Sequence, residues 1–225
     1  MNILGISAGF HDAAATVLDN KGNILYAGHA ERYSKIKNDP NIHKDLLKEL
    51  CQWEYDTVAF YERPWVHNLQ QLYTGQKNFA PWTTQGAIRR HLGSWYQHPA
   101  RFEHSYPHHL SHAAAGFQTS PFDRATVVVI DAIGEFDTVS IYAAEYDRAG
   151  NAQYRKLWGQ RYPHSIGLFY SAMTQEVGLK PMEEEYILMG MAAYGSKLAS
   201  SIIKLNSVSS VKNIEFSENL HIGNS

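Results

Sequence analysis

The chain has 225 residues, a formal net charge of −2, 44% hydrophobic residues and 19% charged ones. That length can bury a sizeable core as one large domain or two small lobes, and the small net charge gives no electrostatic ground for a nucleic-acid or membrane-surface partner. Cys51 is the single cysteine, so no disulfide can form within the chain, which fits a reducing cytoplasm.

The N-terminus enters Ile3–Ile6 directly, a strand pattern and not a signal peptide, and no stretch approaches membrane-spanning length. Thr16–Leu18 and Ile24–Tyr26 read as two further strands, joined through the turn residues Asp19 to Gly22. His43–Trp53 has helical spacing and Thr57–Tyr61 reads as a buried strand. Leu69–Leu72 and Gln85–Leu92 read as helices on either side of a loop at Thr74–Pro81. The aromatics here, Trp65, Tyr73, Phe79, Trp82, Trp95 and Tyr96, suit core packing better than a ligand box.

Next comes Pro107-His108-His109-Leu110-Ser111-His112-Ala113. Pro107 suits a first helical turn, and on a helix His108 and His112 share one face and can grip one ion together. The chain holds 12 histidines, so some pairs fall four apart by chance, and the pair carries weight only through its neighbours. His11 aside, His43, His91, His98 and His104 read as surface or satisfied side chains. A zinc protease is disfavoured, because His109 stands where that motif places a glutamate base.

Ala125–Asp131 is a near-continuous apolar strand of the fully buried kind, and Asp131-Ala132-Ile133-Gly134-Glu135 reads as a loop leading into Val139–Ala144. Tyr154–Trp158 follows a turn at Asp147–Asn151, and Ile166–Val177 and Glu184–Ala193 read as helices. Two segments echo one another. The strand Ile3–Ile6 leads through His11 and Asp12 into Thr16–Leu18, and the strand ending at Asp131 leads through Gly134 and Glu135 into Val139. Such loops can offer backbone N–H groups to phosphate.

The stretches Gly5 to Ala14, Ala30 to Asp39, Pro107 to Ala114, Asp131 to Glu135, His164 to Tyr170 and Glu185 to Ala192 together resemble the NodU/CmcH O-carbamoyltransferases. The resemblance implies an α/β fold of the actin-like/Hsp70-like (ASKHA) two-lobed type, with ribonuclease-H-like lobes: residues 1–120 as the first lobe with the histidine helix, 121–195 as the start of a second, incomplete lobe, and 196–225 as a polar tail. It implies His108 and His112 as ligands of a divalent metal, iron by resemblance with zinc or manganese as alternatives, and a third ligand, an aspartate, from beyond residue 225. His11, Asp12 and Lys37 become candidate catalytic residues, and Asp131, Gly134 and Glu135 the nucleotide-binding loop. The late family motif usually has a lysine where this chain has Ile187.

The implied chemistry has two steps. ATP and carbamoyl phosphate give a carbamoyl-adenylate in a YrdC-like C-terminal domain, and the carbamoyl group then passes to a small-molecule hydroxyl acceptor. Without that domain, in cis or in trans, the isolated chain is expected to be inactive. An ATP-dependent kinase-like relative and a non-catalytic nucleotide-binding relic are the alternatives. No nucleic acid and no membrane is expected as a partner, and the cytoplasm is the expected location.

Overall fold

The computed structural model describes residues 1–77, 79–96, 100–195 and Phe216. The tail read at 196–225, Phe216 apart, and His98 lie outside the described residues. The chain divides into two compact units, residues 1–111 and 112–225.

In the first unit the alternating burial of Ile3–Ser7 (β1) and Ala14–Leu18 (β2) is what a strand with one covered face produces. Ile24–His29 (β3), Thr57–Phe60 (β4) and Phe102–Ser105 (β5) complete a mixed five-stranded sheet in the order β3-β2-β1-β4-β5. β1, β2 and β3 are antiparallel neighbours, whereas β1–β4 and β4–β5 are parallel. Parallel neighbours need long crossovers, and here these carry Lys44–Leu50 (α2), Pro64–Tyr73 (α3) and Thr84–Leu92 (α4). Leu4, Ile6, Val17, Val58 and Phe60 from the sheet pack with Leu46 and Leu50 of α2 and Ile88 and Leu92 of α4. Each such side chain contributes about 1.5–3 kcal/mol by leaving water.

Two elements carry no clear signal in the sequence. The helix Ala30–Ser34 (α1) has five residues and ends at Lys35 in the left-handed region, φ 59°, too short for a periodic pattern to show. β5 offers one apolar residue in four and is an edge strand, ordered by β4 and not by its own hydrophobicity.

The helix His108–Gln118 (α5) starts one residue after Pro107, whose carbonyl accepts the N–H groups of Leu110 and Ser111 at 2.9 and 3.1 Å. The division between the two units falls within this helix. Beyond it, Arg124–Gly134 (β6), Asp137–Tyr146 (β7) and Ala152–Arg161 (β8) form an antiparallel sheet in the order β6-β7-β8. Phe117 is buried against the rings of Tyr146 and Tyr154, at 5.0 and 5.8 Å. Ile166–Glu176 (α6) packs on β6 and β7, and Glu185–Ala192 (α7) packs on α6.

β6 differs from the sequence expectation in two ways. Its apolar run is not covered on both faces: Val129 is 7% exposed, yet Val128 and Ile130 are 55% and 56% exposed. The strand also runs on through Asp131 to Gly134, and the turn proper is only Glu135 and Phe136. Pairing with β7 is interrupted between Ile130 and Gly134, so Asp131 to Ile133 are extended without a regular register. The reading of a loop at Asp131 is therefore replaced by an irregular strand end.

Leu4 is fully buried at the centre of the first sheet. Leu4→Ala is expected to destabilise the chain by about 2–5 kcal/mol, read as a lower urea midpoint at unchanged slope.

Candidate metal centre

The histidine helix is oriented by a stripe of three buried residues. His109, Ala113 and Phe117, spaced by four, are 1%, 0% and 1% exposed. With those side chains turned inward, His108 and His112 share the adjoining face, about 100° around the axis. His112 is exposed, and its Nε2 stands 3.7 Å from Asp131 Oδ2. The other oxygen, Asp131 Oδ1, accepts the N–H of Ala132 at 2.7 Å. Asp131, expected on a phosphate loop, is thus brought beside the histidine helix.

The strand end carrying Asp131 is held from α6. Ser165 is fully buried; its hydroxyl donates to the carbonyl of Ala132 at 2.7 Å and accepts the N–H of Leu168 as the helix cap. Gly167 packs so closely here that a Cβ would lie 2.6 Å from Asp131 C and O and from Ala132 N. Gly134 is buried, and Glu135 is buried in the left-handed region at φ 60°. Phe216 stacks on Phe169 at 5.5 Å, and its N–H donates to His164 Nδ1 at 3.2 Å.

In the first unit, His11 and Asp12 occupy the β1–β2 connection. Asp12 is itself left-handed, φ 51°. Its Oδ2 is 2.9 Å from His11 Nδ1, and its Oδ1 is 3.5 Å from His29 Nε2. Asp12, His29 and Glu31 offer ligand atoms within 4.8 Å of one another. This loop is laced to the segment after α1: Gly9 N–H donates to Pro40 O and Ala13 N–H to Asp39 O, both at 2.8 Å. Lys37 lies exposed on the turn that precedes those carbonyls. Burial works to raise the carboxyl of Asp39, but hydrogen bonds from Asn41 and Ser34 outweigh it and hold the group below the usual range. A cleft of about 260 Å³ opens on the sheet face lined by Gly5, Ser7, Thr16, Ala59, Tyr61 and Ser111.

One residue escaped sequence reasoning. Glu62, two residues past the end of β4, is 9% exposed and lies between two histidines: Oε1 is 3.4 Å from His67 Nδ1 and Oε2 is 3.6 Å from His108 Nδ1. Burial alone would raise its carboxyl, yet the two histidine rings facing it, His108 and His67, hold it at about 2. Its neighbours lie 5 and 46 positions away in the chain, so no local motif signals it. His91, read as ordinary, stacks on Phe60 at 5.9 Å, and a Cβ on Gly9 would meet its ring at 3.1 Å. Burial, with the charge of Arg90, pushes its pKa down.

Residues 96–223 match the family described as Carbamoyltransferase N-terminus. The chain belongs to the carbamoyltransferase family. The match takes in α5 with His108 and His112, β6 with Asp131 and Gly134, the β6–β7 turn with Glu135, and α6. Among similar proteins, the uncharacterized protein sll1178 of Synechocystis is 33% identical, covering 86% of this chain and 35% of its own length. Nodulation protein NolNO of Sinorhizobium fredii is 26% identical, over 82% of this chain and 28% of its own. The chain thus spans about a third of the length of these relatives. Among solved structures, YeaZ from Pseudomonas aeruginosa aligns at TM-score 0.36 and 15% identity, over 74% of this chain and 71% of that one. A ROK family protein from Streptococcus pneumoniae TIGR4, in complex with sucrose, aligns at TM-score 0.39 and 17% identity, over 89% and 70%. Among the described residues, no helix is long and apolar enough to cross a membrane.

Gly167→Ala forces a methyl group into the Asp131–Ala132 backbone. It is expected to cost about 1–3 kcal/mol and to move Asp131, read as a lower melting temperature together with shifted amide resonances at Asp131 and Ala132.

Proposed function

We propose that this chain is the N-terminal portion of an O-carbamoyltransferase, in which a carbamoyl-adenylate gives its carbamoyl group to a substrate hydroxyl. The observation that carries the reading is the family match across α5, β6 and α6. On this reading the two units are ribonuclease-H-like lobes of an ASKHA-type fold, supported in the first unit by the order β3-β2-β1-β4-β5 with its antiparallel and parallel pairs.

His108 and His112, one helical turn apart, and Asp131, 3.7 Å from His112, are proposed to hold a divalent metal. Two imidazoles and a carboxylate suit iron, zinc or manganese better than magnesium or calcium, and metal–ligand bonds of about 2.1 Å place neighbouring donors roughly 3–4 Å apart. When bound, such an ion supplies Lewis-acid stabilisation to phosphate or carbamoyl oxygens.

The chain's own groups account for the rest. His11, steadied through Nδ1 by Asp12 at 2.9 Å, keeps Nε2 for the proton of the acceptor hydroxyl. The hydroxyl oxygen bonds to the carbamoyl carbon, the acyl–phosphate C–O bond breaks, and AMP leaves with the electron pair. Lys37 offsets phosphate charge, while Glu135 and the Gly134 backbone border the nucleotide. ATP and carbamoyl phosphate are consumed in forming the adenylate, a step proposed for a YrdC-like domain in cis or in trans. A small-molecule acceptor and a cytoplasmic location complete the reading.

The test is retention of metal and nucleotide by the purified chain. Wild-type protein is expected to keep about one equivalent of metal by elemental analysis and to bind AMP in equilibrium dialysis. His112→Ala is expected to lose the metal. A wild-type chain that keeps neither metal nor AMP sinks the reading, and metal content unmoved by His112→Ala removes the histidine site.

A further inference from the structure

We infer that Glu62 positions His108, holding the ring so that Nδ1 faces the protein and Nε2 faces the metal. The inference deepens the metal reading above and rests on it. Metal-binding histidines usually donate their second ring N–H to a carboxylate or carbonyl, which sets tautomer and ring orientation and raises ligand basicity. Glu62 faces that nitrogen: Oε2 is 3.6 Å from His108 Nδ1, an ion-pair contact slightly longer than a hydrogen bond, and a ring with Nδ1 turned to the carboxylate has Nε2 left for an ion.

The surroundings hold this arrangement. Glu62 sits between β4 and α3, where Pro64 opens the helix. His67, on the first turns of α3, faces the other carboxylate oxygen at 3.4 Å, so the side chain is gripped from both ends. The Tyr61 carbonyl accepts the hydroxyl proton of Ser111 at 2.7 Å, tying the segment that bears Glu62 to α5 one turn beyond His108. The Tyr61 ring meets the His108 ring edge-on at 5.4 Å and limits its rotation.

A structural role alone gives a poor account of this carboxylate. Burying a charge is costly unless it is paired, and a residue needed only to fill space between β4 and α3 would serve better as a hydrophobe. Directing a ligand is a task that requires the acceptor.

The test uses the 225-residue chain and Co²⁺ as probe. In metal-free wild-type protein, long-range ¹H–¹⁵N correlation of the histidine rings is expected to show the His108 proton on Nδ1. Glu62→Gln is expected to redistribute that tautomer and to weaken Co²⁺ binding about 10- to 100-fold, with far-ultraviolet circular dichroism unchanged and Glu62→Asp partly restoring both readouts. A wild-type His108 proton on Nε2, or equal Co²⁺ affinity in Glu62→Gln and wild type, overturns the inference. If Glu62→Gln does not fold, the wild-type tautomer decides alone. Failure of wild-type protein to bind Co²⁺ overturns the metal reading, while the tautomer still reports whether Glu62 directs the ring.

Discussion

Rotation of α5 about its own axis is the constraint on which the site depends. A helix places every fourth residue on nearly one line, and here that line is His109, Ala113 and Phe117, all essentially fully buried. The residue one position before each of the first two then has its direction decided. Thus the spacing puts His108 and His112 on one face, and what their neighbours bury decides where that face points. His109, next to His108 and chemically identical to it, belongs to the packed side of the same helix.

The strand end at Asp131 depends on a similar contact in the second unit. Ser165 reaches the Ala132 carbonyl while capping α6, and Gly167 leaves no room for a side chain against the same backbone. A hydrogen bond and a close steric approach together define where β6 stops being a regular strand. Asp131 follows from that definition, with one oxygen on Ala132 N–H and the other toward His112. The two meanders share a further trait. Each has a non-glycine residue in the left-handed region at its first turn, Asp12 and Glu135, a conformation that costs on the order of 1 kcal/mol for such a residue. An aspartate bears it more easily than a glutamate, because its short side chain can hydrogen-bond locally.

Much of the architecture was legible because period and punctuation are local. Short strand patterns marked β1 and β2, the turn residues Asp19 to Gly22 separated β2 from β3, and helical spacing marked α2, α4 and α6. The histidine pair was legible for the same reason, since a spacing of four is a property of one helix. The five-residue α1 and the edge strand β5 were not, because their order comes from neighbours distant in the chain. The apolar run of β6 misled in the other direction: hydrophobic content describes what a strand is able to bury, whereas exposure of Val128 and Ile130 depends on what lies against them.

The sequence by itself determined the family, the histidine helix and the residues of the two turn regions, since all of these are carried by contiguous segments. Tertiary structure alone decided the pairings. It placed Asp131 beside His112, Asp12 between His11 and His29, and Glu62 between His67 and His108. Those groups meet through strand crossover and helix docking, and the free energy that brings them together comes from apolar burial elsewhere in each unit. A polar partner chosen in this way leaves no periodic trace in the chain that carries it.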